Sequence, residues 1–107
     1  MRVFIDECID WRLSRDIAVH EVMTAHQMGW AGVKNGALLA LVAGKFDVLV
    51  TVDRNLAFQN RVTGLTFGVV VLQARTNRLE DLRPLVPELL RSLAELAPGD
   101  LKQIGRP

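Results

Sequence analysis

The sequence predicts an α/β layered domain built on a parallel sheet, and three observations carry that prediction. The chain has 107 residues, half of them hydrophobic, which is material for one core and not for two. Its apolar runs are short, and the richest of them, Val48–Val52 and Phe67–Leu72, are crowded with β-branched residues and do not alternate with polar ones. Strands buried on both faces read this way. Segments with helical spacing lie between the runs, giving the order β-α-β-α-β-α-β-α, and such alternation folds as parallel strands joined by right-handed crossovers.

The first strand is Val3-Phe4-Ile5. A helix follows over Cys8–Ile17, with Ile9, Leu13 and Ile17 one turn apart on a single face. A weaker strand covers Glu21–Ala25, and Gly29-Trp30-Ala31-Gly32 reads as a turn, not as a phosphate loop. Asn35–Gly44 carries Leu38, Leu41 and Val42 at i, i+3 and i+4, a second helix. The third strand, a short helix over residues 54–60 and the fourth strand come next. In the longest helix, Leu82, Leu85, Val86, Leu89, Leu93 and Leu96 share one face. Asn77 with Glu80 reads as the capping pair that opens it, and Pro84 and Pro87 predict a kink or a break inside it. Ala97-Pro98-Gly99 ends it. The expected domain is therefore residues 1–97, with 98–107 as a loose tail.

Thirteen Lys and Arg against twelve Asp and Glu leave a formal charge of +1 with His neutral. That balance excludes binding through bulk charge or a polybasic tail but leaves local patches open. The single cysteine, Cys8, excludes an intrachain disulfide framework and suits a reducing compartment. No apolar run reaches the roughly 18 residues of a membrane span, and nothing after Met1-Arg2 reads as a leader. A cytoplasmic protein without a membrane partner is the expectation.

In open parallel sheets, functional groups collect at the carboxyl ends of strands near the point where strand order reverses. Asp6 and Glu7 follow the first strand, His26 the second, and Asp53, Arg54 and Asn55 the third. Gln73, Arg75, Asn77 and Arg78 follow the fourth, and Lys34 and Asn35 precede the second helix. If the first and third strands are neighbours, Asp6, Glu7 and Asp53 converge. Convergent carboxylates repel unless a cation joins them, and an all-oxygen set suits Mg²⁺ or Mn²⁺. Equally, Asp6 and Asp53 cap the helices that follow them. Lys34, Arg54, Arg75 and Arg78 form a candidate phosphate-binding rim, although Arg78 has Glu80 and Asp81 within reach on its own helix. Cys8 reads as a packing residue whose thiol the neighbouring carboxylates hold protonated. Trp11 and Trp30 suit either base stacking or packing.

Three stretches together, Arg2-Val3-Phe4-Ile5-Asp6-Glu7-Cys8, Gly29-Trp30-Ala31-Gly32-Val33-Lys34-Asn35-Gly36 and Leu49-Val50-Thr51-Val52-Asp53-Arg54-Asn55-Leu56, resemble a PIN-like domain. The resemblance is to compact bacterial PIN-like proteins related to VapC-type toxin ribonucleases, and it covers residues 1–96. It implies a three-layer α/β/α fold around a central, mainly parallel four-stranded sheet. It also implies a metal-dependent ribonuclease site, in which Asp6 and Asp53 match the acids that end the first strand and follow a later one. Asn35 stands where the family has another acid, and Asn55 and Asn77 are amides where a fourth is expected.

The resemblance therefore implies an endoribonuclease using Mg²⁺ or Mn²⁺, with Asp6 and Asp53 on the metal and Glu7 and Asn35 orienting it or its water. RNA is the substrate in this reading, an antitoxin the protein partner, and a homodimer through the apolar last helix and the tryptophans a further expectation. The alternative is a PIN-like binding or interaction module with a degraded site. A phospho-accepting receiver shares the acids, but Leu72-Gln73-Ala74 stands where its hydroxyl is expected at the end of the fourth strand, and the sequence suggests no fifth strand ending in lysine.

Overall fold

The computed structural model describes residues 1–33, 35–59 and 64–105, without the side chains of residues 35 and 57–59. Its strands are β1 (Arg2–Ile5), β2 (Glu21–Thr24), β3 (Val48–Thr51), β4 (Gly68–Gln73) and β5 (Leu101–Gly105). They form one sheet in the order β2-β1-β3-β4-β5, and every neighbouring pair is parallel. The helical segments are a 3₁₀ helix η1 (Trp11–Ile17), α1 (Ala25–Met28), α2 (Asn35–Val42), α3 (Arg54–Gln59), α4 (Leu79–Leu82) and α5 (Val86–Glu95). No helix among the described residues is long and apolar enough to cross a membrane.

The non-alternating runs do what their composition dictates. All of β3 is buried, and so are five of the six residues of β4. One side chain in two faces each way, so a strand buried on both sides must be apolar throughout. Val3, Ile5, Val50, Val70, Leu72 and Ile104 point to one face, where η1, α4 and α5 cover them. Phe4, Leu49, Val69 and Val71 point to the other, under α1, α2 and α3. The segment after β1 thus leaves for one face, and the segment after β3 for the other. Because β1 and β3 are neighbours, their carboxyl ends open a crevice at a topological switch point.

The sheet has five strands rather than four. Residues 101–105, expected in a loose tail, form β5, paired from Val69↔Leu101 to Gln73↔Gly105. The strand escapes a hydrophobicity reading because it lies at the sheet edge, where Ile104 alone is buried. The crossovers also differ from expectation. The β1–β2 and β4–β5 connections cover the same face but run in opposite directions along the sheet, so their hands are opposite. The other two connections share the hand of the first, which leaves β4–β5 as the exception to the right-handed rule. Coverage accounts for it. The short η1 cannot roof the whole face, and Leu89 and Leu93 of α5, both fully buried, complete it.

Helix ends shift for local reasons. The first helix begins at Trp11 and not at Cys8, because the Asp10 carboxylate accepts the Arg12 N–H and caps it there. The brief α1 was not expected from periodicity. A reciprocal Thr24–Gln27 capping box opens it and left-handed Gly29 closes it. Pro84 and Pro87 divide the last helix into α4, a 3₁₀ turn at Arg83–Leu85, and α5. The Asn77–Glu80 cap does not form. Arg78 is the N-cap with no side-chain bond, and Thr76 organises the turn instead, accepting the Arg78 N–H at 3.1 Å and donating to Asp81.

Ile104→Ala tests whether β5 belongs to the core. Deleting a fully buried isoleucine is expected to cost about 2–5 kcal/mol, read from the urea midpoint at constant m-value. A residue in a solvated tail would change stability by less than about 0.5 kcal/mol.

Candidate functional site

At the switch point the chemistry rests on one hydroxyl. Thr51 ends β3 and is fully buried. Its Oγ1 donates to Asp6 Oδ2 at 2.7 Å and accepts the Asp53 N–H at 3.0 Å. One side chain therefore links the carboxylate after β1 to the backbone that carries the carboxylate after β3. Asp6 itself is 8% exposed. Its Oδ1 accepts the Glu7 N–H at 2.8 Å, and Oδ2 also receives the Cys8 thiol at 3.4 Å. Asp53 Oδ1 accepts the Asn55 N–H at 2.9 Å, so Asp53 does cap α3.

Two clefts flank the end of β1. The one toward β3, of about 410 Å³, is lined by Asp6, Glu7, Val33, Asp53, Leu56 and Asn77 among others. The one toward β2, of about 560 Å³, shares Asp6, Glu7 and Asn77 and adds Asp10, Trp11, Arg12 and His26. Glu7 stands between them with both carboxylate oxygens 3.1 Å from the Gly32 N–H, pinning the glycine-rich turn against the cleft. Gly32 has φ +85°, a conformation that favours glycine, so the amide is presented by a backbone other residues adopt at a cost. The Arg12 guanidinium, then the Arg12 N–H, hold Asp10 down to about 2. Burial first and the Asp6 charge second push the Cys8 thiol above its ordinary 9.0, in line with its reading as a packing cysteine.

Asp6, Glu7 and Asp53 thus line one cleft as the spacing suggested. Asn35 opens α2, but its side chain lies outside the described residues, as does Lys34. Arg54 and Arg75 are exposed and line neither cleft. Arg78 lines a separate cleft of about 380 Å³ with Arg12 and Arg83. The features behind the homodimer expectation are largely used inside the fold. The apolar face of α5 is in the core, and Trp30 packs 5.3 Å from Phe4 and 6.0 Å from Phe46, centroid to centroid. The receiver comparison assumed four strands. A fifth exists, but its lysine, Lys102, lies toward its amino end, at the far edge of the sheet from Asp6. Sequence reasoning did not single out Thr51. The available signal was a lone hydroxyl in an otherwise apolar strand, two residues before Asp53.

The donors at the crevice are hard oxygens, and Asp6 and Asp53 both face the same cleft. Among the described residues, no group of three His, Cys, Asp or Glu side chains is placed to enclose a cation. Hydrated Mg²⁺ is commonly held by one or two carboxylates together with water and substrate phosphate, and two carboxylates are what Asp6 and Asp53 offer this cleft.

Two outcomes check this geometry. Thr51→Val removes a donor from a buried carboxylate and is expected to cost about 1–3 kcal/mol in urea unfolding, whereas Thr51→Ser keeps most of the stability. The Cys8 proton gives a pH signature. The thiol titrates higher folded than unfolded, so its contribution is complete below pH 9.0 and is lost as pH rises through the folded value. Iodoacetamide should accordingly alkylate the folded thiol more slowly at pH 9 than the urea-unfolded one. No family model, curated protein or solved structure matches this chain.

Proposed function

We propose that the chain is a PIN-like domain whose crevice cleaves RNA with Mg²⁺ or Mn²⁺ held by Asp6 and Asp53. The observation that supports this most directly is the Thr51 hydroxyl, which ties the two acidic positions together at the switch point of the sheet. A carboxylate held by three donors, as Asp6 is, has a fixed orientation before any ligand arrives, which is what positioning a reacting phosphate requires. When bound, the ion would neutralise phosphate charge and make its water more acidic.

The chain's own groups divide the remaining work. Asp53 is oriented from behind by its cap to α3 and presents its carboxylate to the cleft. Glu7, bound to Gly32, sets the position of the cleft wall rather than that of the ion. The Asn77 amide borders both clefts and can donate to a phosphate oxygen without adding negative charge. In the toxin form of this reading, an antitoxin protein covers the crevice, and the protein acts in the cytoplasm.

One observation favours a second reading, a module that binds RNA without cutting it. Asp6, Glu7 and Asp53 each already accept a hydrogen bond from the protein, and no third ligand is grouped with them among the described residues.

The two readings separate in one set of measurements. The nuclease reading expects RNA cleavage that needs Mn²⁺ and falls to background in both Asp6→Asn and Asp53→Asn. Calorimetric titration of the wild type with Mn²⁺ alone should give saturable heat that Asp53→Asn abolishes. Cleavage persisting in both variants would sink the assignment of the acids. Absence of heat at millimolar Mn²⁺, together with retained RNA binding, leaves the binding module.

A further inference from the structure

We infer that the free edge of β5 is a self-association surface, on which β5 of a second copy of this chain pairs antiparallel about a two-fold axis at Gln103. The two edges of the sheet differ. At the β2 edge the Thr24 N–H is taken by the Gln27 side chain at 2.8 Å, and the strand passes at once into α1. Glu21 bonds inward, its N–H donating to the Met1 carbonyl at 3.2 Å. Successive residues of a strand turn their backbone groups to alternate sides, so Val22 alone keeps a free ladder position there, too little to seat another strand. The β5 edge is open. The Asp100 carbonyl accepts the Val69 N–H at 2.9 Å. By the same alternation Lys102 and Ile104 bond β4, while Leu101 and Gln103 turn N–H and C=O outward. Among the described residues, no loop or side chain bonds either of them. Every residue of β5 except Ile104 is exposed, Leu101 at 42%. An extended edge in this state is a template for a further strand.

The residues of β5 favour its own copy as that strand. In an antiparallel pair, outward-turned residues must meet outward-turned residues, which limits the positions of the axis. An axis at Lys102 sets lysine opposite lysine, and like charges directly opposite repel. One at Ile104 overlaps only three of the five residues of the strand. An axis at Gln103 overlaps all five, sets Gln103 against itself with two backbone hydrogen bonds, and places each Lys102 opposite Ile104 of the other copy. Leu101 then meets Gly105. A Cβ at Gly105, where φ is +87°, would run into the Gln73 carbonyl oxygen, so the leucine faces bare backbone. The product closes on itself. Two five-stranded sheets join into one whose outer edges are both β2, so the assembly stops at two copies and does not extend into a fibre. The pairing uses neither α5 nor the tryptophans. The crevice between β1 and β3 is separated from this edge by β4, and the pairing is independent of what the crevice does.

The test is sedimentation equilibrium of the whole chain over a concentration series. The expected mass rises from 11.9 kDa to twice that value and no further. Gln103→Pro removes an outward N–H and leaves the ladder to β4 whole, the one setting in which an edge strand accepts proline. It should stay at one chain where the wild type is two, with an unchanged urea midpoint at concentrations where both are single chains. If proline disturbs the strand, Gln103→Lys keeps every backbone group, sets lysine against lysine across the axis, and should give the same loss of the dimer. On a Cys8→Ser background, Gln103→Cys should form an intermolecular disulfide under mild oxidation, because hydrogen-bonded antiparallel pairs lie about 5.5 Å apart at Cα. Glu21→Cys, on the other edge, should not. A wild type that stays at one chain throughout overturns the pairing, whether or not β5 then takes up a foreign strand. A dimer that Gln103→Pro and Gln103→Lys leave intact, or crosslinking as ready at Glu21→Cys as at Gln103→Cys, overturns it as well. Growth beyond two chains shows that the β2 edge accepts strands and overturns the closed dimer.

Discussion

A parallel sheet that divides its connections between two faces leaves a gap between two neighbouring strand ends, and here that gap falls between β1 and β3. Thr51 stands at its base. Its hydroxyl is the one polar side-chain group of β3, a strand otherwise made of Val and Leu, and it is placed where both of its hydrogen-bonding directions are needed. A buried hydroxyl without partners is costly. At this position it finds an acceptor in Asp6 and a donor in the Asp53 backbone, so the cost of burial is offset by fixing the two acidic positions relative to each other. The crevice is in this sense a property of the sheet, with its loops held to it at one atom.

The walls follow from the same logic of partnered polar groups. Among the described residues no buried side-chain nitrogen or oxygen lacks a hydrogen bond. Asp6 sits where β1 runs out of ladder partners, and its backbone N–H still reaches the Val50 carbonyl at 3.0 Å. Glu7, one residue on, turns the other way and holds the Gly32 amide. Adjacent acids thus serve different ends, one oriented toward the interior hydroxyl and the other restraining a turn. This separation also reduces the repulsion that three converging carboxylates would otherwise create.

Much of the fold was legible because burial on both faces leaves no ambiguity in composition. Val48–Thr51 and Gly68–Gln73 could hardly be anything but central strands, and their order with the helices made the sheet parallel. The edge strand β5 was not legible, since a strand that buries only Ile104 carries no apolar run to recognise, and its membership depends on backbone pairing with β4. The α1 helix was hidden for a related reason: four residues are too few to show a period, although Thr24 and Gln27 spell a capping box. Within the site, Asp6 and Asp53 were readable from their positions after strands. Thr51 was passed over because a β-branched residue in a strand looks like packing. The arginines followed neither rule, because where a long side chain ends up depends on carboxylates contributed by other segments, as Arg83 shows by reaching Asp16 across 67 residues of sequence.

The formal charge of +1 then acquires a meaning that composition alone cannot supply. Near-neutrality is compatible with strong local fields when like charges are kept apart, and pairing keeps them apart here. The acids of the crevice take hydrogen bonds from backbone amides and a neutral hydroxyl, so their charge is stabilised but not cancelled by a counter-charge. The arginines beside them are matched with Asp10, Asp16 and Glu80, and among the described residues no ion pair joins an arginine to Asp6, Glu7 or Asp53. Among the described residues the crevice carboxylates therefore keep their charge without a paired arginine. Had the arginines paired with them instead, the same composition would have cancelled that charge.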